Sequence, residues 1–411
     1  MASDEQRLCQ AESPAMLTAQ RLPLRSLVLV LGLAVALVVA IALVVFVWIG
    51  RESATLQPVP GPPPGLVSTD GDAAAKLLRG MSFRAGEWMP SQYFGPEWEK
   101  YQAPAVAAAA LGTSPGGTAA QRNEAIETVN AAIVDHQQSD GDFDAGTAFA
   151  GGSSVSGGFW VESEGLIAIT LRQDLDSATL RRWERSLARY VQFLVRSGSS
   201  DWYSNGNVVL RQAVIMLETY RLARWVRDPE ASTYLQDYRF EKRFLVHPSA
   251  TSGGGWRTYG EYENGHGGLW FDESPFSNPR APIQCANHVS PCRGFDPNYT
   301  AVQLNDAILA LKVGGDNGFW RHIVSDEYAV LRPRISDGTL NASNGSRDDI
   351  PTEPFYAPVY SVLGAGSPAR AWREQTSAVV RAVEAGIRSG NPSENEYGLL
   401  EPLGLAMVRP A

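Results

Sequence analysis

Lysine is almost missing from this 411-residue chain, supplying four of its 35 basic residues, and histidine and cysteine are scarce at five and three. Each scarcity closes off a class of function. With a net charge of −9, the chain has no general basic field to draw in nucleic acid, so no nucleic-acid partner is expected. His136, His247, His266, His288 and His322 are scattered along the sequence and build no local metal cluster. HExxH helices, GxxxxGK[ST] phosphate loops, GxSxG nucleophile elbows and GxGxxG turns are missing as well. Neither a metal nor a cofactor is therefore expected. Period-two strand alternation and hairpin turns are also rare.

What the chain does have begins with a run of 25 uncharged residues, 26 to 50, SLVLVLGLAVALVVAIALVVFVWIG. As a helix it extends about 37 Å, against a hydrocarbon core of about 30 Å. Arg21 and Arg25 precede it and Trp48 sits near its far end, which places the N-terminus in the cytoplasm and everything beyond outside. The run is longer than a signal-peptide core and no A-x-A-like site follows, so an uncleaved anchor is expected. Residues 51 to 68 form a linker whose stretch SATLQPVPGPPPGLV carries five prolines, a composition that favours extended, semi-rigid backbone. Up to residue 52 four arginines balance four carboxylates, so the whole net charge of −9 belongs to the remainder. Abundant Ala, Gly and Arg with little Lys point to a GC-rich bacterial genome.

Cysteine use agrees with that topology. Cys9 is alone on the cytoplasmic side, while Cys285 and Cys292 flank QCANHVSPC, a Pro- and Asn-containing loop able to fold back. A disulfide is expected there, worth about 2.5 kcal/mol in the chain-entropy model.

From residue 69 to 411 the periodic segments read as helices. In DSATLRRWERSLARYVQFLVRSG, Leu180, Trp183, Leu187, Val191 and Leu194 recur at steps of three and four, the arginines fill the other side, Ser177 can cap the start and Gly198 the end. That is an outer, amphipathic helix. NVVLRQAVIMLETYRLARWV is apolar around most of its circumference and belongs inside. Further helices are expected at about 121–136, 162–173, 230–242, 298–312, 318–330, 367–389 and 398–408. The expected fold is all-α, inner helices alternating with outer ones in a toroid of helical hairpins, with no fixed repeat length.

Three segments break the helical pattern: 136–160, 248–297 and 336–358. They are rich in Gly, Ser, Asn and Pro, and long loops of this kind form lids and binding surfaces. Aromatics and amides concentrate there and in DWYSNGN, which opens an inner helix. A sugar ring offers apolar faces edged by hydroxyls, so a site for it needs flat side chains to stack on and polar groups for the rim. Trp202, Tyr203, Trp256, Tyr259, Tyr262, Trp270 and Tyr299 suit the first task. Asn205, Asn207, Glu261, Asn264 and Arg347 suit the second, and Arg257, Arg293 and Arg347 could make such a groove locally basic. Asn205 or Asn207 could equally cap the helix that follows.

With Asn205 or Asn207 in DWYSNGN, His266 in YENGHGG, Tyr299 in DPNYT, Arg347 in NGSRDD and Glu353 in PTEPFY, the chain resembles the (α/α)-toroid polysaccharide lyases and related toroid carbohydrate enzymes over roughly residues 120 to 400. The resemblance implies β-elimination on a uronate polymer. An Asn, with a neutral His, would hydrogen-bond the substrate carboxylate, and a Tyr or His would take the C5 proton. The Tyr would then protonate the leaving oxygen, with Arg347 pairing with the acid group or lowering the Tyr pKa. Two alternatives stay open. A glycoside hydrolase needs two carboxylates, for which Asp140, Asp142, Glu162, Glu164, Glu261, Glu263, Asp272, Glu273 and Glu353 are candidates. A non-catalytic protein that binds glycan or another protein would keep the groove alone. The expected partner is a cell-envelope polysaccharide, met outside the membrane that the single N-terminal helix anchors to; nothing in the sequence sets an oligomeric state.

Overall fold

The computed structural model describes residues 99–143, 155–197, 206–246, 270–271, 294–295, 297–336, 338–343, 352–363 and 400–409, with positions 71, 74, 75, 78 and 79. The chain divides into two compact units, Met1–Pro58 and Val59–Ala411, and all described residues belong to the second. The apolar segment 26–50, the linker 51–68, the helix expected at 367–389 and the expected Cys285–Cys292 bond lie outside the described residues. Among the described residues no helix is long and apolar enough to cross a membrane.

The described part of the second unit is mostly helical, all-α in character. Ten helices are described: α1 Glu99–Thr113, α2 Ala119–His136, α3 Val155–Thr170, α4 Ser177–Ser197, α5 Gly206–Val226, α6 Ala231–Val246, α7 Pro297–Val313, α8 Asn317–Leu331, α9 Tyr360–Leu363 and α10 Leu400–Met407. Helices α2, α6, α7, α8 and α10 fall where the periodicity puts helices, to within a few residues at their described ends.

Two departures have physical causes. Helix α1, EKYQAPAVAAAALGT, is built on an alanine run, the residue with the highest helix propensity. Every residue from Pro104 to Gly112 is buried, so it has no polar face from which to read a period. Helix α3 starts at Val155, not near 162, and takes in Gly157 and Gly158. Glycines lower helix propensity, but a Cβ at Gly158 would stand 3.3 Å from the Tyr190 hydroxyl and 3.5 Å from Arg211 Cδ. Close packing between helices outweighs the local preference there.

Caps and turns organise the hairpins. Thr118 and Gln121 form a reciprocal capping box at the start of α2, with bonds of 3.3 and 3.0 Å. Helix α4 is capped by Asp176, whose Oδ1 accepts from the backbone N–H of Ala178 at 2.8 Å and Thr179 at 2.7 Å. Ser177, the expected cap, is instead the first helical residue. A carboxylate at that end also meets the positive pole of the helix, and the Thr179 N–H, ahead of its other contacts, holds the Asp176 carboxyl below its ordinary range.

Packing separates an inner from an outer set. On α4 the expected stripe is buried at Trp183, Leu187, Val191 and Leu194, with Leu180 half-buried and the arginines exposed. On α5 every residue from Val209 to Thr219 is buried. Helix α5 packs on α3, α4, α6 and α7; α1 packs on α2, α3 and α10; α7 packs on α8 and α10. Fully buried Trp160, Trp183 and Trp320 anchor this core, each large apolar side chain contributing about 1.5–3 kcal/mol. The outer helices α6 and α8 are tied by Asp316, which accepts from the Tyr238 hydroxyl at 2.9 Å and pairs with Lys242.

The segments read as irregular hold short strands. β1 Trp270–Phe271 pairs antiparallel with β2 Gly294–Phe295, Trp270 opposite Phe295. A three-stranded antiparallel sheet orders β3 Ile335–Ser336, β4 Thr339–Asn341 and β5 Thr352–Pro354, with Glu353 opposite Leu340. Strands of two or three residues are too short to show alternation, which is why the sequence does not announce them.

Candidate functional site

Three helices that are distant in sequence meet around Arg211. Its Nε donates to Glu162 Oε2 of α3 at 2.9 Å, and its Nη2 lies 3.1 and 3.0 Å from the two carboxylate oxygens of Asp306 on α7. The side chains of Arg211, Glu162 and Asp306 are 4%, 3% and 8% exposed. The guanidinium stacks on the Phe159 ring, 3.3 Å above its centroid, an arrangement that attracts a cation to the ring face.

Two carboxyls held by one guanidinium this far from water cannot both ionise freely. Burial, then the neighbouring Asp306 charge, drives Glu162 well above the ordinary carboxyl range, with Arg211 opposing. Burial also raises Asp306, to about 6, against the charge of Arg211 and the hydrogen bond it donates. The two acids meet at one guanidinium and titrate as a pair, and with one of them protonated the group with Arg211 is close to neutral. Burial disfavours the charge on Arg211, but the fields of Asp306 and Glu162 outweigh it.

A second layer lies deeper. Glu218, two turns beyond Arg211 on α5, is fully buried, and neither carboxyl oxygen has a hydrogen-bond partner among the described residues. Burial, then the charges of Glu162, Glu164 and Asp306, raise its carboxyl far above the ordinary range, so it is held as the neutral acid. Glu164, on α3 and also fully buried, accepts from Ser186 Oγ at 3.3 Å and is pushed by burial up to about 8. The room for Glu218 comes from Gly165 on α3: a Cβ there would overlap the Glu218 carboxylate and stand 2.9 Å from its Cβ. Gly165→Ala is accordingly expected to lower stability by about 2 kcal/mol through overpacking, despite the better helix propensity of Ala. In a Glu218→Ala background the penalty should fall by at least about 1 kcal/mol, the coupling expected of touching residues. Additive thermal midpoints in that double-mutant cycle would remove Gly165 from this role.

The site has a direction. Four short turns, at 114–118, 171–176, 227–230 and 314–316, join the C-terminal end of an inner helix to the next outer one. The longer segments before α3, α5 and α7 each connect the C-terminal end of an outer helix to the N-terminal end of an inner one. They include the aromatic-rich residues 198–205 and 247–296. Arg211, Glu162 and Asp306 lie roughly one and a half to three turns inside those N-terminal ends.

Against the sequence expectations, Tyr299 is the third residue of α7, half-buried, two turns ahead of Asp306 with Gln303 between. Asn207 is the second residue of α5, one turn ahead of Arg211. The backbone of Trp270 is brought to Phe295 beside the start of α7, and that of Glu353 lies in β5. Trp202, Tyr203, Asn205, Trp256, Arg257, Tyr259, Tyr262, His266, Cys285, Cys292 and Arg347 lie outside the described residues.

Among the candidate carboxylates, Glu162 and Glu164 join the buried group. Asp140 and Asp142 do not: they accept backbone N–H bonds from Asp142 at 3.1 Å and Phe143 at 2.8 Å and shape an exposed turn. Arg211, Glu218 and Asp306 were missed by motif reading. Their signal is a charged residue inside a helix that is apolar all round, with Arg211 and Glu218 seven apart in NVVLRQAVIMLETYR. Among the described residues no group of three or more His, Cys, Asp or Glu side chains is placed to hold a metal ion. No family model, curated protein or solved structure matches this chain.

Proposed function

We propose that the outer unit is an (α/α) toroid, tethered to a bacterial membrane by residues 26–50 with its N-terminus in the cytoplasm, and that it acts on a cell-envelope polysaccharide. The circuit of contacts α1 to α3, α5, α7, α10 and back to α1 supports the toroid reading. One observation carries the functional one: two buried carboxyls, Glu162 and Asp306, held on the single guanidinium of Arg211, beneath the helix ends from which the aromatic-rich segments lead.

Between the two chemistries, this pair favours hydrolysis over β-elimination. An acid that holds a proton near neutral pH is what protonation of a glycosidic oxygen needs. Arg211 is engaged by two carboxyls rather than free to receive a uronate. Glu162 and Asp306 both face the one guanidinium of Arg211 rather than opposing each other across a scissile bond, as the two groups of a glycosidase do. The pair therefore serves as one acid, and the opposing carboxylate comes from another segment, for which Glu261, Glu263, Asp272, Glu273 and Glu353 are candidates. The elimination mechanism through Asn205 or Asn207, His266, Tyr299 and Arg347 is the competing reading, supported by the placement of Tyr299 and Asn207 near the same helix ends.

The deciding experiment gives the full chain, in detergent, acidic and neutral envelope glycans. New reducing ends without unsaturated-uronate absorbance are the expected result, slowed about 100-fold or more by Glu162→Gln. Absorbance rising with reducing ends would establish elimination. Retention on glycan without either product would leave a binding protein.

A further inference from the structure

The exposed side of α4 carries Arg181, Arg182, Arg185, Arg189 and Arg196, and every one of them is solvent-exposed. At about 100° per residue they fall within an arc of about 100° and along about 22 Å of the axis, opposite the buried Trp183, Leu187 and Leu194. The helix has a single carboxylate, Glu184, and it is buried. Like charges one turn apart destabilise a helix by a few tenths of a kcal/mol each. Yet among the described residues this chain of net charge −9 sets only the buried Glu184 beside Arg185 and the cap Asp176 near Arg182, neither in ion-pair contact with them.

Their hydrogen bonds fix them in place without neutralising them. Arg182 donates to Asn130 Oδ1 at 3.2 Å, Arg189 to Gln138 O at 2.6 Å and Gln137 Oε1 at 3.4 Å, and Arg196 to Asp140 O at 2.7 Å and Gln192 O at 3.1 Å. All these acceptors are uncharged amides or carbonyls. Among the described residues no carboxylate forms an ion pair with any of the five, although Arg122 is paired with Asp174 at 3.0 Å and Lys242 with Asp316. The bonds from Arg182, Arg189 and Arg196 draw their guanidiniums towards α2 and the turn after it, so the charges form a track along the α2–α4 seam.

We infer that this track is a binding site for a linear polyanion, a chain bearing phosphodiester or uronate groups, lying lengthwise along α4. A row of charges repeating at about 6 Å per helical turn matches a repeating anion rather than one small ion. Guanidinium is the cation that pairs bidentately with phosphate and carboxylate. The inference is independent of the carboxyl pair and of its chemistry.

The test uses the full chain in nanodiscs of uncharged phosphatidylcholine, with heparin and polygalacturonate as polymer probes and phosphatidylglycerol vesicles as the surface probe. Polymer binding is expected to weaken roughly 50- to 130-fold between 50 and 200 mM salt, as for four to five charges neutralised on a flexible polyanion. Arg181→Glu with Arg185→Glu, which removes no hydrogen bond seen among the described residues, should leave the thermal midpoint in place and weaken polymer binding at least 10-fold. Arg224→Glu with Arg239→Glu, exposed on other helices, should leave it unchanged. Equal loss in both variants, no loss in the first, or binding to vesicles without binding to polymer would each overturn the site.

Discussion

Raising the pH from 5 to 8 is expected to destabilise the helical unit, and Glu164→Gln to remove a large part of that loss. Glu164 is fully buried, and burial lifts its carboxyl from 4.5 to about 8. In the unfolded chain it ionises near 4.5, so between 4.5 and 8 the folded state holds a proton that the unfolded state has released. Stability is therefore fully present below 4.5 and declines as pH rises towards 8, at 1.36 kcal/mol per unit, roughly 5 kcal/mol at most. Glu218 adds to the loss with the same sign. A glutamine keeps the volume and a partner for Ser186 but has nothing to ionise. The variant and parent should have similar thermal midpoints at pH 5, with the variant ahead by several degrees at pH 8. Parallel curves for the two across this range would mean that Glu164 is ionised in the folded protein.

The legible and illegible parts of this molecule divide by the reach of the interaction involved. Helix α4 could be read because Trp183, Leu187, Val191 and Leu194 repeat within one turn of each other, and a stripe so spaced has only one way to face a core. Helix α5 was placed inside by its apolar circumference. Helix α1 was not readable, since an alanine run buried from Pro104 to Gly112 has no contrast between faces. Gly158 looked like loop because its benefit is contact with Tyr190 and Arg211 on other helices. The same holds for the site. Glu162 stood among nine candidate acids with nothing local to single it out; Arg211, 49 residues away, and Asp306, a further 95, do so only after three helices have packed. The Asp176 cap was missed by one position, the distance by which an aspartate one residue earlier still reaches the second and third amides.

Replacing Arg211 with methionine should be among the most damaging single changes in the unit, and its effect should depend on pH. Among the described residues Arg211 is the one cation that touches both Glu162 and Asp306, and removing one partner from a buried ionic group typically removes 3–5 kcal/mol. Without the guanidinium the two acids lose the attraction that opposes burial and their mutual repulsion, so both rise further and take up protons more readily. With Asp306 already at about 6 in the intact group, both are neutral at pH 5 in the variant and the deficit there is small. As pH rises through that region towards 8, proton release becomes unfavourable in the folded state alone, and the full deficit develops. Arg211→Lys should not recover it, because one ammonium cannot span two carboxyls as the Nε and Nη2 of a planar fork do. Adding Glu162→Gln and Asp306→Asn to Arg211→Met should recover most of it, since a buried ionic group replaced whole by uncharged residues is often close to neutral in stability. Urea midpoints of the four proteins at pH 5 and pH 8 separate these cases. A pH-independent deficit that the added substitutions leave untouched would mean that Arg211 matters for the packing of its stem over Phe159, and that the two acids never shared its charge.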